Sequence, residues 1–165
     1  TGGQPMKYEV DGKQVHQMSE EIDTAYRLIE SLKPEQLSQA VLADRPAEMI
    51  YGPGKAGAEP NQEGIAGTAL TSQQRKLLLE LIGARIGMLN KVYAEQRMKQ
   101  IEKDLDDTWF AWFGPTTAGK AASYRIQGPA VLIEFVPQRM GTEHVHAMYR
   151  DPSNDYGAKF IEQSQ

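Results

Sequence analysis

The stretch YRIQGPAVLIEFV, residues 124–136, carries the clearest fold signal in the chain. Two runs rich in β-branched and aromatic residues flank the turn signal Gly128-Pro129, so residues 124–127 and 130–136 each predict a strand. Working outward, residues 109–113 and 143–150 predict two more strands. Since short loops join neighbouring strands, their order should be antiparallel. Residues 108–165 therefore predict a four-stranded antiparallel β-meander followed by a C-terminal tail, with a closing helix from about residue 158.

The chain before this meander is helical by its apolar spacing. Four segments within residues 19–107 repeat apolar residues every three or four positions, which predicts four helices. Ser19, Pro34 and Thr71 mark three helix starts, and Thr71 forms a capping box with Gln74. Asn90 either ends the third helix or caps the fourth. The predicted fold class is thus α+β, with four helices followed by the meander.

Two segments of the chain show no helical spacing. Residues 1–18 predict an extended entry segment with a small hairpin at Asp11-Gly12. Residues 49–69 are punctuated by Gly and Pro and predict a long loop. Loops of this length serve either as lids and binding loops or as surface loops packed on the domain, and the second reading is favoured. Together the segments predict one domain over residues 1–165.

Composition excludes several classes of protein and site. A hydrophobic content of 40% supports a packed core rather than disorder. With a net charge of -4 and no basic stripe, nucleic acid is not an expected partner. No apolar run is long enough to span a bilayer. The absence of cysteine removes disulfides, thiolate nucleophiles and cysteine-ligated metals. Because neither an initiator Met nor a signal peptide is present, we expect a piece of a longer precursor.

One pair of histidines is the main candidate site. His144 and His146 lie two apart on a predicted strand, so both imidazoles should point to the same face. Neutral imidazole suits a divalent metal, with zinc or copper expected here. Glu134, on the preceding strand, is the candidate third ligand or general base. The alternative is that both histidines are ordinary polar residues on a solvated or intersubunit face.

Charged residues near this pair form a second group of candidates. Asp151 and Asp155 follow the last strand and could orient an imidazole N–H. Arg150 could clamp a carboxylate or phosphate in a bidentate manner, and Arg125 is a further binding candidate of the same cluster. The alternative for the Arg-Asp-Pro stretch, which is favoured, is an ion pair and a turn that fix the strand end. The aromatic run 109–113 is interpreted as core rather than as a stacking platform.

The C-terminal motifs also resemble a known bacterial family. They occupy residues 110–112, 124–129, 132–135, 144–152 and 154–157. The chain is similar to the uncharacterised family catalogued as domain of unknown function 3500, with Tyr149 where Trp is usual and Val136-Pro137 where Asp-Asn is common. Members are about twice this length, so the resemblance implies a C-terminal half whose partner is the N-terminal half of the precursor. It also implies a secreted or periplasmic location, since members often carry export signals.

The sequence is compatible with two functions and does not decide whether the chain is an enzyme. The leading hypothesis is a divalent-metal site on the His-x-His strand that supports hydrolysis. The alternative is a non-catalytic assembly domain that pairs with the absent N-terminal half or forms a homo-oligomer through its sheet. Exposed strand edges favour such pairing in general.

Overall fold

The computed structural model describes residues 1–52, 54–55, 61–138 and 141–157 of the chain, and its fold is α+β. The helices are α1 Ser19–Glu30, α2 Pro34–Ala40, α3 Ser72–Ile86 and α4 Lys91–Lys103. The strands are β1 Gly2–Gly3, β2 Lys7–Val10, β3 Lys13–His16, β4 Val41–Ala43, β5 Ile65–Ala66, β6 Trp109–Phe113, β7 Ser123–Gly128, β8 Val131–Pro137 and β9 Val145–Arg150.

The main sheet has seven strands rather than the predicted four. Strands β6 to β9 are antiparallel neighbours in chain order, and β1 pairs with the outer side of β9. At the opposite edge of the sheet, β4 pairs with β6 in parallel and β5 pairs with β6 in antiparallel orientation. The prediction of a simple four-stranded meander is therefore wrong. The three added strands have only two or three residues each, which is too short to show a period of two in the sequence.

Predictions of the hairpin turn and of the helix caps are confirmed. The hairpin forms between β2 and β3, with Asp11 and Gly12 both at positive φ, as a two-residue hairpin turn requires. Thr71 accepts a hydrogen bond from Gln74 N, so the predicted capping box starts α3. Asn90 caps α4 through Val92 N. The closing helix proposed beyond residue 157 lies outside the described residues.

The loop predicted over residues 49–69 ends earlier than expected. Its last part forms β5 and a single 3-10 turn at Gly67–Ala69. Gly64 makes the approach to β6 feasible, because it has a φ of 93° and a Cβ there would lie 2.2 Å from Phe110 O. A side chain at this position would clash with the β6 backbone, so glycine is needed for β5 to pair with the sheet.

Alternate residues of the strands join the helices in one apolar core. The cluster contains Leu28 and Ile29 from α1, and α3 contributes a longer run that includes Leu78. From the sheet it takes Phe110, Ile133 and other residues of the same parity. Phe110 and Trp112 of the aromatic run belong to this cluster, as the core interpretation predicts, whereas Trp109 is half-buried. We call this side of the sheet the helical face. None of the described helices has the length and apolar character needed to cross a membrane.

Candidate functional site

The opposite side of the sheet carries charged and polar residues in register. Arg125 of β7 lies directly across from Glu134 of β8, and His146 of β9 lies across from Val136. Arg150 and Ser123 share this side by parity, because directly paired residues of neighbouring strands project the same way. We call this side the polar face. All the candidates predicted within strands β7 to β9 therefore lie on one side of the sheet.

Glu134 is deeply buried at the centre of the polar face, with 1% of its surface exposed. Its Oε1 accepts a hydrogen bond from Arg125 Nε at 3.0 Å and one from Ile50 N at 3.2 Å. Its Oε2 accepts from Tyr51 N at 2.8 Å. Both carboxylate oxygens are therefore already engaged. A buried carboxylate with this many donors serves to hold the chain segment that supplies them.

Arg125 is held from several sides at once. Besides Glu134 it forms an ion pair with Glu63. Its guanidinium carbon lies 5.3 Å from the ring centroid of Tyr51 and 5.3 Å from that of Phe113. Cation–π contact is strongest where water is excluded, as it is here. Two ends of the long loop, at Tyr51 and Glu63, are thus fastened to one arginine of the sheet.

Tyr51 and Glu63 contact the candidate residues Glu134 and Arg125, and the sequence did not reveal these contacts. Both lie in the segment without periodicity, and nothing in the sequence pairs them with a residue of β7 more than sixty positions away. An acidic residue next to the loop's glycines was the only available signal. We call the described residues 47–52 and 61–63 the strap, because Ala47, Tyr51 and Glu63 all bind side chains of the polar face.

The predicted residues of the last strand and its turn take part in ion pairs. Arg150 donates to Asp155 at 3.0 Å from Nε and to Tyr51 O at 3.3 Å from Nη1. Asp151 lies 2.8 Å from Nη1 of Arg97 on α4 and accepts from Ser153 N. These contacts agree with the reading in which the Arg-Asp-Pro stretch fixes the strand end. The orienting role toward an imidazole, suggested for Asp151 and Asp155, has no contact that supports it among the described residues.

His144 and His146 do come together. Their Nε2 atoms are 3.0 Å apart, and their ring centroids are 4.8 Å apart with an angle of 67° between the planes. His146 is exposed and His144 is partly buried. Strand β9 begins at Val145, two residues later than predicted. Gln138 N donates to His144 O at 2.7 Å, one pair beyond the pairing of Pro137 with Val145. In the described part of the chain, no group of three histidine, aspartate or glutamate side chains is arranged to hold a metal ion.

A second buried charge pair lies on the helical face. Arg85 of α3 donates to Glu21 Oε1 of α1 at 3.1 Å, and Tyr124 of β7 donates to the same oxygen at 2.5 Å. Burial, and then the charge of Glu21, raises the pKa of Tyr124 well above its usual value. The triad joins two helices to the sheet, and Arg85 Nη1 also donates to Thr1 Oγ1 at 2.8 Å. Helical spacing gave no sign of it, since Glu21 counted only as a favourable charge in the first turn.

One known family resembles this chain over nearly its whole length. No curated protein and no solved structure matches it. The family described as "Protein of unknown function (DUF3500)" matches residues 1–158, nearly the whole chain, and this agrees with the C-terminal motifs noted above. That the chain is one half of a longer precursor stays a prediction. The match over almost the full length shows that this chain belongs to the DUF3500 family.

Proposed function

We propose that this chain binds a divalent transition metal through His144 and His146. The observation that carries the proposal is the distance of 3.0 Å between their Nε2 atoms. The same nitrogen of each imidazole lies at this contact, at the start of β9. Two nitrogens this close share either a proton or a metal ion.

The distance agrees with metal coordination. Zinc binds histidine nitrogen at about 2.0 to 2.1 Å, so two such nitrogens lie roughly 2.9 Å apart at a right angle and roughly 3.4 Å apart at the tetrahedral angle. A shared proton is the competing explanation, but a neutral hydrogen bond at an exposed position contributes little net stability. A bound ion gives the pair a stronger reason to face each other.

The remaining coordination positions fall to water or to an external ligand. The described residues supply no third side chain, and Glu134 is committed to Arg125 and the strap. By the general order of divalent affinities, copper should bind more tightly than zinc at two imidazoles. A free base beside a metal-bound water would assist hydrolysis, and Glu134 does not provide one. The proposal is therefore metal binding, with no reaction assigned.

Assembly through the sheet has weaker support. On the outer side of β6, its residues pair with β5 and β4, and β1 covers the start of β9. Within the described residues, the long strands therefore offer only part of one edge for strand addition. Two copies could still share one ion through two histidine pairs, which the stoichiometry of binding distinguishes.

The test is metal titration of protein prepared without a histidine tag. Calorimetry and elemental analysis with Cu²⁺ and Zn²⁺ should give one ion per chain, or one per two chains if copies share it. In His144→Ala/His146→Ala we expect the affinity to fall by about a hundredfold or more, since both ligands are lost. The matched control is His16→Ala, which removes the remaining histidine of the chain, an exposed residue of the hairpin.

Two results would contradict the proposal. Equal Cu²⁺ affinity in the wild-type protein and the double variant would show that other groups hold the metal. No binding of either ion by the wild-type protein, under conditions that keep it folded, would show that the histidines share only a proton.

A further inference from the structure

A cavity of about 490 Å³ lies on the helical side of the sheet, the side opposite to the one that His146 faces. Its walls come from α1, the β2–β3 hairpin, the β6–β7 loop and the β8–β9 loop. Val145 lines it, whereas His146 next in the chain has the opposite parity and lies on the polar face. The cavity is therefore separate from the proposed metal site. Its volume is within the range of small-molecule sites, roughly 300 to 1,000 Å³.

The floor of the cavity is part of the hydrophobic core. Met6, Tyr26, Ala122, Phe135 and Val145 line it, and all five belong to the buried apolar cluster. Apolar groups at the floor of a concave site gain stability when a ligand displaces the water above them. The floor thus favours an apolar ligand body.

The walls are held in place before any ligand arrives. Tyr26 OH donates to Lys120 O at 2.5 Å, which ties the β6–β7 loop to α1. The same tyrosine makes an edge contact with Trp112, at 5.3 Å between ring centroids. On the other side, Gln17 N donates to Met6 O at 2.8 Å and closes the base of the hairpin. A preformed cavity spares a ligand the cost of ordering its site.

The charged groups around the cavity balance one another. Three basic and three acidic side chains line it, together with His16. The basic residues are Lys7, Arg27 and Lys120, and the acidic residues are Asp23, Glu30 and Glu143. Of these six, Arg27 alone has an ion pair within the described residues, and its partner Glu80 is outside the cavity lining. A rim of equal and opposite charges exerts little net attraction on either sign of charge.

We propose that this cavity binds an uncharged small molecule with an apolar, ring-sized body. The apolar floor supplies the attraction, the tied walls supply a fixed shape, and the balanced rim selects against a net charge. Polar atoms of the ligand would face the rim, where the lysine and carboxylate groups are free to solvate them.

The experiment compares three probes that share one naphthalene body. Naphthalene methanol is neutral, naphthoate is an anion and naphthylmethylammonium is a cation. Binding is followed by the amide resonances of Gly119 and Val145 during titration of the full chain. We expect saturable binding of the neutral probe, about tenfold tighter than that of either ion.

A pair of variants places the binding in this cavity. Ala118 is exposed and lines the mouth, so Ala118→Trp should block entry and weaken the neutral probe by about tenfold or more without affecting the core. Thr117→Trp is the control, since Thr117 is exposed on the same loop but does not line the cavity. It should bind as the wild-type protein does.

The proposal fails if none of the three probes shifts these resonances. It also fails if either ion binds as tightly as the neutral probe, because the rim would then attract charge. Equal binding by Ala118→Trp and Thr117→Trp would place the probe elsewhere on the protein.

Discussion

On the helical face of the sheet, Phe110 and Ile133 are wholly buried in one apolar cluster with α1 and α3. On the polar face of the same strands, Arg125 and Glu134 are buried almost as deeply, beneath a loop segment rather than a helix. Apolar packing tolerates many partners of suitable volume. A buried charge pair is stable only when each donor and acceptor meets its own partner, so it fixes the position of the loop residues that cover it.

The difference suggests a division of labour between the two faces. The helical face supplies most of the free energy of folding, because burial of apolar surface is the dominant stabilising term. The polar face adds less net stability, since desolvation offsets much of the attraction within an ion pair. Its contribution is specificity: it determines where residues 50, 51 and 63 lie on the sheet.

The largest effect should follow from a cavity in the helical face. Phe110→Ala removes a wholly buried ring and should lower the free energy of unfolding by about 3 to 5 kcal/mol. Urea unfolding followed by circular dichroism measures the change. The control is Leu42→Ala, at a residue that is 42% exposed, where the loss should stay below about 1 kcal/mol. Equal losses in the two variants would mean that the cluster is not the stabilising core.

Next in size is the loss of the central charge of the polar face. Glu134→Gln should cost about 2 to 4 kcal/mol, because Arg125 is left buried with Glu63 as its remaining ion-pair partner. Glu143→Gln, at an exposed acid, is the control. Glu134→Gln also tests the metal proposal. Its Cu²⁺ affinity should stay within about threefold of the wild-type value, whereas a loss of about a hundredfold would identify Glu134 as a ligand.

A smaller effect, dependent on pH, should come from the buried tyrosine of the helical face. Burial and Glu21 raise the pKa of Tyr124, so the folded state keeps its proton where the unfolded state loses it. The stabilisation is complete below the unfolded pKa of about 10 and is lost as the pH rises above that value. In Tyr124→Phe, this alkaline loss should be shallower by up to about 1.4 kcal/mol per pH unit.

Urea unfolding between about pH 9 and pH 11.5 measures that slope. At neutral pH, Tyr124→Phe should cost only about 1 to 2 kcal/mol, since Glu21 keeps Arg85. Tyr8→Phe, at an exposed tyrosine, is the control and should leave the alkaline slope unchanged. A wild-type slope in Tyr124→Phe would show that the hydroxyl is not buried against Glu21.

The smallest effect is expected at the edge of the polar face. Glu63 has a side chain that is 33% exposed, so Glu63→Gln should cost about 0.5 to 1 kcal/mol. Hydrogen exchange of the Tyr51 amide should stay slow, because its acceptor is Glu134. A loss of stability as large as that of Glu134→Gln would contradict this comparison of the two faces. It would mean that Glu63 of the strap, rather than Glu134 of the sheet, fixes the position of Arg125.

The features that could be predicted from the sequence are those that depend on residues close together in the chain. The capping box at Thr71, the hairpin at Asp11-Gly12 and the bounds of β6 follow from neighbours within a few residues, and all were predicted. That His144 and His146 meet also followed from a spacing of two. The short strands β1, β4 and β5 were missed because pairing with distant strands, rather than their own pattern, makes them strands.

The sequence by itself determined the α+β class, the helix starts, the four long strands and the family. Each of these depends on local periodicity, capping or motif, which the order of residues carries directly. Only the tertiary structure decided that Glu134 faces Arg125, Ile50 and Tyr51. Ile50 and Tyr51 lie 84 and 83 residues from Glu134 in the chain. A buried charge must meet donors of the right geometry to offset its desolvation, and no local sequence pattern records which donors those are.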